Sequence, residues 1–136
     1  MEHFNFNSIG FVRDLHRILK PGGKAFITVP NMAKLENRVK LLFGKGIGEK
    51  VDTYIKYYSY EGGRAFMGFH WREYVLSELT QLFASQKFSI ISAGHLLTFQ
   101  NYAHLPVSKK IKRLIGRTVF PIFPGVGTLC TLTAGK

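Results

Sequence analysis

The chain has 136 residues, 46% of them apolar and 14% aromatic, which fits one globular domain and excludes a disordered tail. Its formal net charge is +11, unevenly spread: the last acid is Glu78, and residues 79–136 carry seven Lys or Arg and no Asp or Glu. That half is drawn to anionic surfaces.

Ser8 is positioned to cap a helix in which Ile9, Val12, Leu15, Ile18 and Leu19 recur at helical spacing. Pro21 cannot continue it, and Gly22-Gly23 permit a tight turn into Lys24–Val29, a short β-branched run that reads as a buried strand closed by Pro30. A second amphipathic helix is expected from Met32 to Phe43, with Met32, Leu35, Val39 and Leu42 on its apolar face and Gly44 as its stop. Residues 44–70 turn Gly- and Tyr-rich and read as a lid-like insert or irregular hairpin rather than a regular element. Leu76, Leu79, Leu82 and Phe83 mark a third helix ending near Ser85, and Phe88–Phe99 has the length and Ile/Leu content of a strand. Ser108 starts a short basic helix reaching Arg117, and Val126–Ala134 reads as a last strand after Pro121 and Pro124. The order is that of an α/β fold in a single domain spanning 1–136.

Cys130, the single cysteine, has no internal disulfide partner and lies in an apolar run, so it reads as a buried core residue in a reducing, cytoplasmic setting. MEHFNFNS has neither the basic nor the apolar region of a signal peptide, and no segment approaches the roughly 18 apolar residues of a membrane span.

Several words of this sequence carry a resemblance: Glu2-His3, the LKPGG turn at Leu19–Gly23, Pro30-Asn31, and His70-Trp71-Arg72-Glu73-Tyr74 feeding Leu76–Leu82. In this order and spacing they resemble the C-terminal half of a class I S-adenosylmethionine-dependent methyltransferase of the type 11/23 kind. The resemblance implies a partial Rossmann-like sheet made of the last three strands, 24–29, 88–98 and 126–134, with flanking helices and a terminal antiparallel hairpin. It places Glu2-His3 beyond the family's fourth strand, beside the cofactor S-adenosylmethionine, and His70–Tyr74 on the substrate side. Val75 departs from the family's usual Ser or Thr cap, Gln86-Lys87 from its usual glycine, and the basic run 109–117 from its ordinary pattern. The glycine-rich cofactor loop and the ribose-binding acid have no counterpart here, because Gly44, Gly46 and Gly48 follow a helix rather than a strand. A misplaced start codon, a truncated gene or one part of a split protein is therefore expected, binding cofactor poorly or not at all on its own.

Methyl transfer from a sulfonium asks the protein mainly to align a nucleophile and, for an oxygen acceptor, to remove a proton. His3 and His70 are the candidate catalytic residues, against the plainer reading that each only packs or hydrogen-bonds. Asn31 is a candidate for substrate binding at a strand's carboxyl end or a turn-stabilising asparagine. Arg72 is read as the partner of a substrate carboxylate or phosphate, or of Glu73 or Glu78 in a surface ion pair. Tyr74 joins the substrate-side set, the Tyr54–Tyr60 cluster reads as a pocket lining or an aromatic cover, and no metal is assigned.

Two function classes follow. The first is a methyltransferase, or a fragment of one, acting on a small hydroxylated, glycan or lipid-linked acceptor. The second is a non-catalytic module that forms a homo-oligomer through an open strand edge at 24–29, or completes a partner supplying the missing half. Lys109, Lys110, Lys112, Arg113 and Arg117, next to Val119, Phe120, Ile122 and Phe123, form either a solvated helix face or a seat on an anionic membrane surface. No nucleic-acid-binding module is recognised.

Overall fold

The computed structural model describes residues 1–4, 6–61, 70–98, 111, 114–115 and 117–136, with backbone alone for 57–61. It is an α/β arrangement of helix α1 (Ser8–Ile18), strand β1 (Lys24–Pro30), helices α2 (Leu35–Leu42), α3 (Val51–Glu61) and α4 (Leu76–Ser85), strand β2 (Ser89–Leu96), a 3-10 turn at Pro124–Val126 and strand β3 (Leu129–Gly135). The sheet order is β1-β3-β2, and β3 is antiparallel to both neighbours, so β1 and β2 point the same way without touching. Asn31 was expected at the end of a parallel strand; β1's neighbour among the described residues is instead antiparallel, and Asn31 itself makes an isolated parallel bridge to Tyr74.

Alternation decides which face of the sheet is covered. Ala25 and Val29 of β1 and Cys130, Leu132 and Ala134 of β3 point to one side, where Val12 of α1, Leu79 and Phe83 of α4, Tyr74 and Phe88 complete the core. On the other side Phe26 stands 66% exposed beside Thr28, Thr131 and Thr133. Burial of Phe83 and Leu79, both fully enclosed, contributes about 2 to 3 kcal/mol each and fixes α4 on the sheet.

The turn between α1 and β1 works as its residues dictate. Gly22 adopts φ +76°, open to glycine at little cost, and a Cβ on Gly23 would lie 2.8 Å from the Lys20 carbonyl oxygen. Lys136 closes the same corner: its N–H donates to the Gly23 carbonyl at 3.0 Å, and its Nζ donates to the Leu19 carbonyl at 2.8 Å beyond the end of α1.

Four local expectations change. The cap of α1 is Asn7, whose Oδ1 accepts from the Ile9 N–H, while Ser8 is buried and its hydroxyl pairs with Tyr74. Helix α2 begins at Leu35, and Met32, Val39 and Leu42 on its expected apolar face are exposed; its buried residue is Asn37, held by a bond from Nδ2 to the Met32 carbonyl. Within the insert, Val51–Glu61 is helical, where irregular chain was expected. Val75, which has no side-chain acceptor, caps α4 only through its own N–H, donated to Glu78 Oε2 at 3.3 Å. The expected basic helix from Ser108 and the end of the strand at Phe99 lie outside the described residues apart from Ile111, Leu114, Ile115 and Arg117. No helix among the described residues is long and apolar enough to cross a membrane.

Candidate functional site

Glu2-His3 and His70–Arg72, far apart in sequence, lie side by side. The Glu2 carbonyl accepts from the Trp71 N–H at 2.7 Å and from the Arg72 N–H at 3.4 Å, which ties the N-terminal segment to the approach to α4. The His3 and His70 rings meet edge to face with centroids 4.7 Å apart. Glu73 Oε1 lies 3.0 Å from His70 Nδ1, so a proton on Nδ1 is held by the carboxylate and Nε2 is the nitrogen left for other work. Glu2 directs Oε2 to the amino terminus at 3.0 Å and Oε1 toward His3 Nε2 at 3.8 Å. Burial acts to raise the Glu2 pKa, but bonds from its own N–H and the amino terminus, with the charges of the terminus and His3, hold it below the usual value.

His70, Arg72 and Glu73 line one side of an open cleft of about 630 Å³, closed on the other by Ile47, Lys50 and Thr53 from the insert. A second open depression, about 550 Å³, lies across Trp71 and Arg72, against Phe4, Ser8 and Tyr74. The first is broad enough for a small ligand. Its chemistry is mixed: imidazole, guanidinium, ammonium and carboxylate all reach its wall.

The remaining site candidates fall differently. Asn31 is fully buried; its Nδ2 donates to the carbonyls of Gly125 and Gly127 at 3.0 and 2.8 Å, and Oδ1 accepts from the Ala33 N–H at 3.0 Å. Its amide is spent on joining β1 to the turn before β3, which is the turn-stabilising reading. Tyr74, 3% exposed, is a core residue with its hydroxyl on Ser8 Oγ at 2.6 Å. Arg72 pairs with Glu78 at 3.1 Å in an exposed ion pair and sits 5.3 Å from the centre of the Tyr74 ring, so it is held at the wall between the two depressions. His16 packs edge-on against Phe88 and is structural.

The sequence reading did not single out Glu73 as the orienting partner of His70, although the three-residue spacing of a histidine and an acid was there to be read. It also passed over His95, which sits opposite Cys130 on β2; burial first, and the charge of Arg38 second, lower its pKa. No protein-family model matches the chain, and no curated protein is significantly similar to it. The functional reading therefore rests on this geometry and on the motifs that carry the resemblance.

Proposed function

We propose that this chain is the acceptor-side part of an S-adenosylmethionine-dependent methyltransferase acting on a small hydroxylated, glycan or lipid-linked acceptor. The observation that carries the reading is the union of Glu2-His3 with His70–Arg72 through the two backbone bonds to the Glu2 carbonyl, with His70, Trp71 and Arg72 lining an open cleft. These are the two segments that the resemblance assigns to the cofactor and substrate sides. The strand arrangement is a second support: β2 and β3 form the terminal antiparallel pair that the resemblance implies, with β1 continuing the sheet.

In this reading the cofactor supplies an activated methyl carbon, and the chain's residues orient the acceptor. His70 Nε2 accepts the acceptor's hydroxyl proton while Glu73 holds Nδ1 on the opposite side of the ring and fixes its orientation. Arg72 offers a guanidinium for an acidic group on the acceptor, at the cost of its exposed pair with Glu78.

The second reading, a non-catalytic module that pairs with a copy of itself or completes a partner, is favoured by a different observation. The outer edge of β1 has no strand partner among the described residues, and Val39, Leu41, Leu42 and Phe43 on and after α2 are exposed. Titration with S-adenosylhomocysteine at low and moderate salt separates the two. Saturable, salt-stable binding near one per chain, by the chain or by the assembly it purifies with from its own cells, is required for the enzyme. Its absence from both leaves the module.

The basic segment 109–117 remains a proposed seat for an anionic membrane surface; apart from Ile111, Leu114, Ile115 and Arg117 it lies outside the described residues.

A further inference from the structure

The sequence offers no metal-ligand spacing, yet the fold gathers Glu2, His3 and His70 so that one donor atom from each lies within 4.8 Å of the others. We propose that these three side chains form a binding site for a divalent transition metal of the zinc class.

Three features of the geometry carry this. The donor set, two imidazoles and one carboxylate, is one that zinc accepts in open sites with a fourth position for water or a ligand, whereas calcium and magnesium prefer all-oxygen shells. The segments are fixed to each other by the bonds from the Trp71 and Arg72 N–H groups to the Glu2 carbonyl, so bringing the ligands together costs little further chain entropy. Most tellingly, Glu73 Oε1 lies 3.0 Å from His70 Nδ1, the carboxylate–histidine contact that fixes the tautomer and leaves Nε2 to serve as the ligand nitrogen. An edge-on pair of rings needs no such carboxylate behind it.

The ligand atoms have to close in. Bonds of about 2.0 to 2.2 Å around a tetrahedral ion set donors roughly 3.5 Å apart, so side-chain rotations moving each donor by less than about 1 Å suffice. His3 and His70 are 51% and 36% exposed at the side chain and have room for them. Glu2 reaches the amino terminus through Oε2, which leaves Oε1, already facing His3, as the ligand oxygen. Of the three ligands, His70 also borders the cleft of about 630 Å³. A ligated His70 has no lone pair left to serve as a base; the metal would then polarise an oxygen ligand in its place.

Metal binding is read without any methyl donor, so this inference stands or falls apart from the methyltransferase reading. The test is calorimetric titration of the untagged, chelator-stripped 136-residue chain with zinc chloride at neutral pH. The expected result is one zinc per chain, with affinity reduced about 100-fold or more by the double substitution His3→Ala and His70→Ala. Glu73→Gln, which keeps all three ligands, should weaken binding by about 10- to 100-fold. Because His3 is exposed, His3→Ala alone serves as a variant whose thermal unfolding should match the parent's while zinc affinity falls. Absence of saturable binding, affinity unchanged in the double variant, or one zinc shared between two chains would each overturn the proposal.

Discussion

Asn31 shows how one buried polar side chain positions the end of a strand. Its amide donates to two carbonyl oxygens, Gly125 and Gly127, so Asn31→Ala removes the side-chain donor from Gly127 and leaves Gly125 only the longer bond from Arg38 Nη2 at 3.4 Å. The expected cost is about 1 to 3 kcal/mol, seen as a lower urea midpoint at unchanged slope. Asn31→Asp should cost more, since it sets a carboxylate against the same two oxygens; a variant as stable as the parent would contradict this account. Cys130 makes a different residue-scale prediction. Burial pushes its thiol pKa up to about 11, so the folded protein holds it as an unreactive thiol at mildly alkaline pH. A disulfide reagent should label it only after urea unfolds the chain, and fast labelling of the native protein would be the contrary result. By comparison, Arg72→Gln removes an exposed ion pair and should change stability by less than about 1 kcal/mol.

At the scale of elements, the α1–β1 corner and strand β2 are the informative pieces. Gly22→Ala meets no atom but keeps a left-handed φ, whereas Gly23→Ala drives a Cβ against the Lys20 carbonyl at 2.8 Å. Thermal unfolding should therefore rank Gly23→Ala below Gly22→Ala, and Gly22→Ala below the parent. On β2, His95 has a folded pKa held below its unfolded 6.5, first by burial and then by Arg38. The unfolded chain thus binds more protons in the window just below 6.5, so this contribution to stability is full above that pH and is lost as pH falls through the folded value. Urea midpoints measured across that range should drop on acidification, and His95→Gln should flatten the drop; an unaltered slope would remove His95 as the cause.

The elements that were legible beforehand are those whose sequence pattern and tertiary environment agree. The α4 stripe finds the core, as do Val12 of α1 and Ala25 and Val29 of β1, although Ile9, Ile18 and Phe26 are exposed where a buried stripe and a buried strand were expected; Pro21, Gly22 and Gly23 fall where the chain turns between α1 and β1, and Gly44 follows the end of α2. Helix α2 has an equally regular stripe, but no described element covers Met32, Val39 or Leu42, so periodicity found the helix and misjudged its burial. The insert failed in the opposite sense: Gly and Tyr content hid the helix Val51–Glu61, which has no strong apolar stripe to announce it. At the site, the pairing of Glu2-His3 with His70 was implied only by resemblance, since contacts across some 67 residues leave no local trace. The burial of Asn31 and Tyr74 was not legible, because a buried amide or phenol bound to partners elsewhere in the fold looks, in sequence, like one at the surface.

At the scale of the molecule, the described residues enclose a core on one face of a three-stranded sheet and, among themselves, leave the edge of β1, Phe26 and the α2 stripe uncovered. Unpaired strand edges and contiguous apolar surface favour association, so light scattering should find a species larger than one chain at micromolar concentration. A monodisperse monomer would count against edge pairing. The central claim is tested most directly by titrating S-adenosylhomocysteine, at low and moderate salt, into the chain and into the assembly recovered with it from its own cells. The account predicts saturable binding near one per chain that survives the added salt. Heats that vanish with salt, or no binding by either preparation, would contradict it.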